Sequence, residues 1–140
     1  FSGTVRTFNP ETRLYLKTKM EEIARGIAGA YGATIEYEYR YIIDSTINDP
    51  KATDLCVEVA RSVVGHDNVN PDVAPCMGGE DFGAMLEKVS GAYIWVGQAE
   101  KDPDSNHNYN LHTPRYDFND TIIPVAMEYF AGIIEKSMAA

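Results

Sequence analysis

The stretch from Thr34 to Ile42 alternates between apolar or aromatic residues and charged ones. A period of two is that of a β-strand, whose successive side chains point to opposite faces. A strand with a single apolar face is typical of an antiparallel sheet that is covered on one side only. The pattern predicts such a strand packed against a helix, and this packing explains the tyrosines better than ligand stacking does. The predicted inner face carries Ile35, Tyr37, Tyr39 and Tyr41.

The residues before this strand predict another strand followed by a helix. Val5, Thr7 and Phe8 favour a strand at the start of the chain. Asn9-Pro10 is a helix start, with a capping side chain and a proline in the first turn. Because two strands do not form a stable sheet alone and the chain opens inside one without a methionine, we expect a fragment of a longer protein. The apolar face predicted for the helix, which Gly32 ends, comprises Leu16, Met20, Ile23, Ile27 and Tyr31.

The pattern changes near residue 47. Asp49-Pro50 begins a second helix, whose apolar stripe includes Cys56 and Val59 and which Gly65 ends. The continuous apolar run AYIWVG, residues 92–97, is typical of a strand covered on both faces. Helices predicted at 82–89 and from about residue 120 flank it, as at the end of an α/β domain. We therefore predict a mixed α/β (α+β) protein with two parts, residues 1–46 and residues 47–140.

Composition excludes several classes of partner. The chain has 21 acidic and 12 basic residues, a net charge of −9 and no basic run, so we expect neither nucleic acid nor an anionic membrane surface as a partner. No apolar run approaches the roughly 18 residues of a membrane span. Two distant cysteines without a CxxC motif do not indicate a disulfide framework. We therefore expect a cytoplasmic protein.

His112, in the segment LHTP, is the first candidate functional residue. Pro114 makes this segment a loop rather than a helix. His112 is either a solvated loop residue or a metal ligand or acid/base group at the rim of a pocket. The loop follows a predicted buried strand, and α/β folds bind ligands at the carboxyl ends of such strands. By contrast, His66 and His107 are predicted to be solvated, and Asn119 and Asp120 to cap the last helix.

A glycine pair before a predicted helix is the second candidate. Gly78 and Gly79 would let the backbone approach a ligand, and free N–H groups at a helix start attract anions. Glu80 and Asp81 would repel an anion there, however, and could be ordinary first-turn acids that interact with the helix dipole. Arg6, in the first predicted strand, is either an exposed charge or a guanidinium that binds a substrate carboxylate. Sequence periodicity does not choose between these alternatives.

The motifs taken together resemble a known family. GTVRTF, a helix ending in YGA, the tyrosine-rich strand, TINDP, MGGEDF and LHTPRYDFND follow one another in the order found in metal-dependent amidohydrolases related to aminoacylase, hippurate hydrolase, auxin-conjugate hydrolases and carboxypeptidase-type zinc peptidases. The resemblance implies that residues 1–46 are the second half of an antiparallel two-layer lid or dimerisation domain. It implies that residues 47–140 are the C-terminal segment of a zinc-peptidase-like α/β catalytic domain.

The resemblance also implies a function and site residues. Family members hydrolyse amides of N-acyl amino acids or similar small conjugates with two divalent metal ions, which are zinc, manganese, cobalt or nickel. His112 matches a metal ligand, Gly78, Gly79 and Glu80 match a loop that borders the substrate, and Arg6 matches an arginine of the lid. The other ligands and the glutamate base lie upstream in the family, so we expect this chain alone to bind no metal and to be inactive. We expect the full-length protein to be a homodimer through its lid.

Two rival hypotheses remain. The chain could be a stand-alone, non-enzymatic dimerisation or binding module that pairs exposed sheet edges with a second copy. It could also belong to a regulatory homologue of full length that has lost its metal ligands. Metal-ligand motifs in the reading frame upstream of Phe1 would favour the hydrolase, and their absence would favour a non-enzymatic protein.

Overall fold

The computed structural model describes residues 1–139, in which the regular structure is helical. Four α-helices are present in this range: α1 (Pro10–Ala30), α2 (Pro50–Val64), α3 (Phe82–Leu86) and α4 (Ile123–Ala139). Single 3-10 turns lie at His66–Asn68, Asn106–Asn108 and Asp120–Ile122. Within these 139 residues, every helix is too short or too polar to cross a lipid bilayer.

The helix starts predicted at Asn9 and Asp49 are confirmed. The Asn9 side-chain oxygen accepts a hydrogen bond from the Thr12 backbone N–H at 2.8 Å. The Asp49 carboxylate accepts one from the Ala52 N–H at 2.9 Å. In both helices a proline, which lacks an N–H, follows the cap and begins the helix.

The glycines predicted to end these two helices are also in place. Gly32 has a φ of +67°, and the Ala33 N–H donates to the Ala28 carbonyl at 2.8 Å. This is the six-residue closure of a Schellman motif, which satisfies a carbonyl of the last helical turn. Gly65 follows α2 with a φ of +84°. Both backbone conformations favour glycine, because a Cβ is strained there.

The predicted strands are not confirmed. Residues 1–8, 34–42 and 92–97 have no regular secondary structure, and no strand occurs among residues 1–139. The run at 92–97 is not covered on both faces either, because Trp95 is 62% exposed. The physical reason is that a strand requires a hydrogen-bonded neighbour, whatever its own side-chain pattern. The antiparallel sheet and the α/β class therefore stay predictions.

Residues 1–47 and 74–90 form the first of two compact units. The predicted apolar face of α1 is largely exposed in it, with Ile23 at 60% and Ile27 at 58%, because no element described in this unit covers them. Instead, Arg13 of α1 forms an ion pair with Asp44 at 2.5 Å and lies 4.1 Å from the centre of the Tyr41 ring. Polar and cationic contacts therefore hold α1 to residues 41–44.

Residues 48–73 and 91–139 form the second unit, which is built on the packing of α2 against α4. Val59 of α2 and Tyr129 of α4 are buried, and the burial of Val59 agrees with its position in the predicted apolar stripe. Gly132 allows the close approach, because a Cβ at this position would lie 2.8 Å from Val59 Cγ1. Burial raises the pKa of Tyr129, and the neighbouring Cys56 thiol raises it further.

The segment that follows Ser90 is attached to the start of α2. The Asn48 side chain donates to the Tyr93 carbonyl at 2.9 Å and accepts from the Tyr93 N–H at 2.8 Å. The Asp49 N–H donates to the Gly91 carbonyl at 2.9 Å. The Asn48 amide thus pairs with the backbone of Tyr93 as a neighbouring strand would, and it fixes the start of the apolar run.

Candidate functional site

His112 has an unusual backbone conformation. Its φ is +66°, and it is the only non-glycine residue with a positive φ between residues 1 and 139. The left-handed conformation costs an L-residue other than glycine about 1–2 kcal/mol. Such strain persists only where the surrounding structure enforces it, and it is concentrated at functional sites. The loop histidine singled out by its motif is therefore also the one non-glycine residue between positions 1 and 139 with a left-handed backbone.

Two turns shape the backbone around His112. The Thr113 hydroxyl donates to the Asn110 carbonyl at 3.1 Å, and the Tyr116 N–H donates to the Thr113 carbonyl at 3.2 Å. Arg115 donates to the Tyr109 hydroxyl at 2.5 Å across the same loop. His112 itself is exposed. The His112 imidazole is thus exposed on a loop whose own residues are joined by hydrogen bonds.

His112 can supply one ligand to a metal ion but not a whole site. A neutral imidazole nitrogen is the commonest protein ligand for transition metals, and divalent ions such as zinc take three or four protein ligands. Among the residues described, no group of three His, Cys, Asp or Glu side chains is placed to hold a metal. The donor chemistry of His112 fits a metal, provided that other ligands come from elsewhere in a complete protein.

The predicted substrate-binding residues Arg6 and Gly79 lie together in the first unit. The Arg6 guanidinium donates to the Met77 carbonyl at 2.8 Å. A Cβ on Gly79 would come within 2.6 Å of Arg6 Nη1, so the absence of a side chain allows the guanidinium to lie against this backbone. At Gly78, a Cβ would lie 3.3 Å from Cys76 Sγ. The structure therefore joins two of the predicted residues, while His112 belongs to the second unit.

Glu80 contacts the start of α3. Its carboxylate accepts from the Asp81 N–H at 2.9 Å and from the Phe82 N–H at 3.5 Å. Glu80 precedes Asp81, the N-cap of α3, and so lies before the first turn. The alternative prediction of a first-turn acid is therefore not confirmed, although the carboxylate satisfies free N–H groups at the helix start. The substrate-binding role of Glu80 remains a prediction.

Sequence reasoning missed Gln98, which follows the apolar run 92–97. Its side-chain nitrogen donates to the carbonyls of His107 at 3.0 Å and Asp117 at 3.2 Å. The available signal was an amide placed at the end of an apolar run, before a long polar loop. His107 is also not simply solvated as predicted, because its Nδ1 lies 3.1 Å from the Asp117 carbonyl oxygen.

Asn119 caps the last helical segment as predicted and does more. Its side-chain oxygen accepts from the Thr121 N–H at 3.1 Å, and its side-chain nitrogen donates to the Gln98 carbonyl at 3.0 Å. The residue is 4% exposed, and its hydrogen-bonding groups are paired, as burial of an amide requires. It therefore links the loop that carries His112 to the end of the apolar run.

Comparison with known proteins identifies the family. The profile of Peptidase family M20/M25/M40 matches residues 4–136. The chain belongs to this family. Among curated members, it is 33% identical over 130 residues to an N-acetyldiaminopimelate deacetylase of Streptococcus gordonii, covering 90% of this chain and 31% of the relative. No solved structure matches the chain.

Other M20/M25/M40 relatives have similar coverage. The chain is 33% identical over 129 residues to the N-acetylcysteine deacetylase of Bacillus subtilis, covering 92% of this chain and 31% of the relative. It is 30% identical over 133 residues to the hippurate hydrolase of Campylobacter jejuni, covering 95% of this chain and 33% of the relative. The chain thus spans about a third of the length of these relatives. The family resemblance seen in the sequence motifs is confirmed.

Proposed function

We propose that this chain is part of a metal-dependent amidohydrolase that cleaves the amide bond of N-acyl amino acids or similar small conjugates. The observation that carries the proposal is the family match over residues 4–136. The relatives, two deacetylases and a hippurate hydrolase, support amide hydrolysis as the reaction. In this proposal the chain is inactive without the rest of the protein, which supplies the remaining metal ligands and the base.

In this proposal His112 is the metal ligand that the chain contributes. The left-handed φ of +66° and the exposed side chain support this role. Enzymes of this family are generally metal-dependent, and two divalent ions, which the resemblance names as zinc, manganese, cobalt or nickel, would polarise the amide carbonyl and activate water when bound. A histidine nitrogen coordinates a metal ion through the lone pair of the neutral imidazole.

Arg6 and the loop of Gly78, Gly79 and Glu80 form the proposed substrate-binding part. An N-acyl amino acid carries one carboxylate, and arginine binds carboxylates with two parallel hydrogen bonds. One Arg6 N–H group donates to the Met77 carbonyl, whereas a guanidinium has five donors. The contact therefore orients the guanidinium and leaves further donors for a carboxylate.

We also propose the domain assignment and the assembly that the resemblance implies. Residues 1–46 belong to the lid domain and residues 47–140 to the catalytic domain, and the full-length protein forms a homodimer through the lid. Apolar side chains of α1, including Ile23 and Ile27, are exposed. This exposure supports the proposal that another polypeptide segment covers α1 in the full-length protein. Sedimentation of the full-length protein would reveal a monomer if the dimer proposal is wrong.

The metal-ligand role is tested by replacing His112 with alanine in the full-length protein. Metal content and the rate of hydrolysis are measured over a panel of N-acyl amino acids. His66→Ala is the matched control, because His66 is another exposed loop histidine of the same unit. Loss of an outer partner of a metal ligand costs 10–100-fold, so loss of the ligand itself should lower metal affinity and rate by at least about 100-fold.

The outcome separates the candidate functions. Unchanged metal content and rate in His112→Ala, equal to those of the His66→Ala control, would exclude His112 as a ligand. If the full-length protein neither binds metal nor hydrolyses any amide of the panel, a non-enzymatic protein, either a dimerisation or binding module or a regulatory homologue, becomes the better interpretation. The exposed apolar face of α1 is the observation that favours that alternative.

A further inference from the structure

His112 lies midway along a loop, residues 107–117, whose two ends are tied together by one side chain. The Gln98 side-chain nitrogen donates one hydrogen bond to the His107 carbonyl at 3.0 Å and one to the Asp117 carbonyl at 3.2 Å. These residues are separated from Gln98 by nine and nineteen positions in the sequence. The pair of bonds is called here the neck of the loop.

A second contact closes the same neck. His107 Nδ1 lies 3.1 Å from the Asp117 carbonyl oxygen. A carbonyl can only accept, so the ring must carry its proton on Nδ1 and donate. The His107 side chain is 24% exposed and is therefore partly shielded from water. The Asp117 carbonyl thus accepts from both Gln98 and His107.

The orientation of the Gln98 amide is determined by its surroundings. Its side-chain oxygen accepts from the Asn119 N–H at 3.3 Å, and the Tyr116 hydroxyl lies 3.4 Å from it. The flipped amide would place its oxygen against two carbonyl oxygens and its nitrogen against an N–H donor. The hydrogen-bond network therefore selects one orientation, in which both N–H groups of Gln98 point to the neck.

The neck is connected to the helical part of the second unit. Gln98 ends the segment that Asn48 fixes at Tyr93, next to the start of α2. Buried Asn119 joins the Gln98 carbonyl to the first residues that lead into α4. Through these contacts the loop around His112 is attached at its base to both packed helices, although its apex is exposed.

We infer that Gln98 and His107 are positioning residues that keep the neck of the 107–117 loop closed and thereby hold His112 in place as a metal ligand. The inference rests on the proposed function of His112. The physical reason is that a closed neck shortens the free length of the loop and lowers the entropy that must be lost when the imidazole is immobilised. Without the neck, the strained conformation of His112 would relax.

The first test measures the opening of the loop and does not involve metal binding. Gln98→Glu is nearly isosteric and keeps the acceptor oxygen, but it replaces the donor of both neck bonds by a second oxygen. Arg115 is exposed inside the loop, so trypsin cleavage after Arg115, followed by mass spectrometry, reports opening. We expect cleavage to become at least about 5-fold faster, the factor that corresponds to one lost hydrogen bond.

Asn108→Asp is the matched control. It is also an amide-to-acid change in the same region, with the same added charge. The Asn108 side chain bonds the Glu100 N–H at 2.8 Å and the Asp102 carbonyl at 2.7 Å, outside the neck. This variant should cleave faster after Lys101 and retain the wild-type rate after Arg115.

Metal affinity of the full-length protein, measured by zinc titration against a competing chelator, is the second readout. Gln98→Glu should lower the affinity at least about 10-fold, as outer-sphere partners of metal ligands do, while Asn108→Asp should leave it unchanged. His107→Ala should also lower the affinity, and His107→Asn should restore it, because the asparagine side-chain nitrogen can donate from nearly the same position as Nδ1. Equal losses in both His107 variants would make His107 a ligand and overturn the inference.

The remaining outcomes are also decisive. An unchanged rate of cleavage after Arg115 in folded Gln98→Glu would show that the neck does not close the loop, and would overturn the inference. Faster cleavage with unchanged zinc affinity would overturn it too, because the loop would then not position a ligand. If Gln98→Glu does not fold, the two His107 variants provide the same test. His112→Ala, measured in parallel, shows separately whether the proposed metal role itself fails.

Discussion

Gly132 of α4 offers a test of the helix packing in the second unit. A Cβ added to Gly132 would lie 2.8 Å from Cγ1 of Val59 in α2, and carbon atoms in contact are normally about 3.5–4.0 Å apart. Val59 is only 2% exposed. Its β-branched side chain has one strongly preferred rotamer in a helix. The methyl group of alanine could therefore be accommodated only if the helices moved apart.

Two opposing contributions determine the effect of Gly132→Ala on the free energy of unfolding. Alanine is favoured over glycine in a helix interior by about 0.8–1.0 kcal/mol. Inserting a methyl group into a packed contact costs about 1–3 kcal/mol. Because the contact is with a buried and stiff side chain, we expect the second contribution to exceed the first. The net result should be a destabilisation of about 1 kcal/mol.

The assay is urea unfolding of the purified protein, with Gly26→Ala as the matched control. Gly26 lies inside α1, and a Cβ there would meet no atom within 4 Å. The same substitution should therefore stabilise at Gly26 by about 0.5–1 kcal/mol. In Gly132→Ala combined with Val59→Ala, the removed methyl groups make room, so the cost of Gly132→Ala should disappear. Stabilisation by Gly132→Ala equal to that of Gly26→Ala would refute the packing argument.

Two further predictions concern the first unit. The hydrogen bond from Arg13, followed in size by that from Tyr41, holds the pKa of Asp44 below its usual 3.8. Asp44 therefore stabilises the folded state above pH 3.8, and this stabilisation is lost as the pH falls through the lowered pKa. The stability difference between wild type and Asp44→Asn in acid unfolding curves should shrink over that range, and a constant difference would contradict the assignment. Gly79→Ala should displace the flexible end of Arg6 and raise KM for N-acyl amino acids several-fold, with the free energy of unfolding changed by less than about 0.5 kcal/mol. Gly3→Ala is the control, because a Cβ at Gly3 would meet no atom within 4 Å, and a KM of Gly79→Ala equal to that of this control would argue against a role of Arg6 in substrate binding.

The ends of α1 and α2 were predictable because each depends on a few neighbouring residues, whereas α3, predicted to extend to residue 89, ends at Leu86. The caps of α1 and α2 are hydrogen bonds between residues three positions apart. Gly32 and Gly65 have positive φ values, which glycine adopts at little cost. The apolar stripe of α2 also predicted the buried position of Val59. Caps, terminating glycines and apolar stripes depend on residues close together in the sequence, so they can be predicted from the sequence alone.

The strands and the burial of α1 were not predictable in the same way. The alternation from Thr34 to Ile42 indicates which side chains would face a covering layer, but it does not provide the neighbouring strand. In the described chain these residues have no regular structure, and the apolar residues of α1 are exposed. A side-chain pattern therefore indicates which residues can be buried, but their burial requires another part of the polypeptide to cover them.

For this protein, the amino-acid order by itself determined the ends of α1 and α2, the family and the choice of His112 as a candidate ligand. Only the tertiary structure decided that His112 has a left-handed backbone, that Arg6 lies against Gly79, and that Gln98 joins the two ends of the 107–117 loop. The physical reason is the range of the interactions. Caps and turns connect residues within one helical turn, whereas the hydrogen bond from Gln98 to Asp117 spans nineteen positions and exists only after the chain has folded.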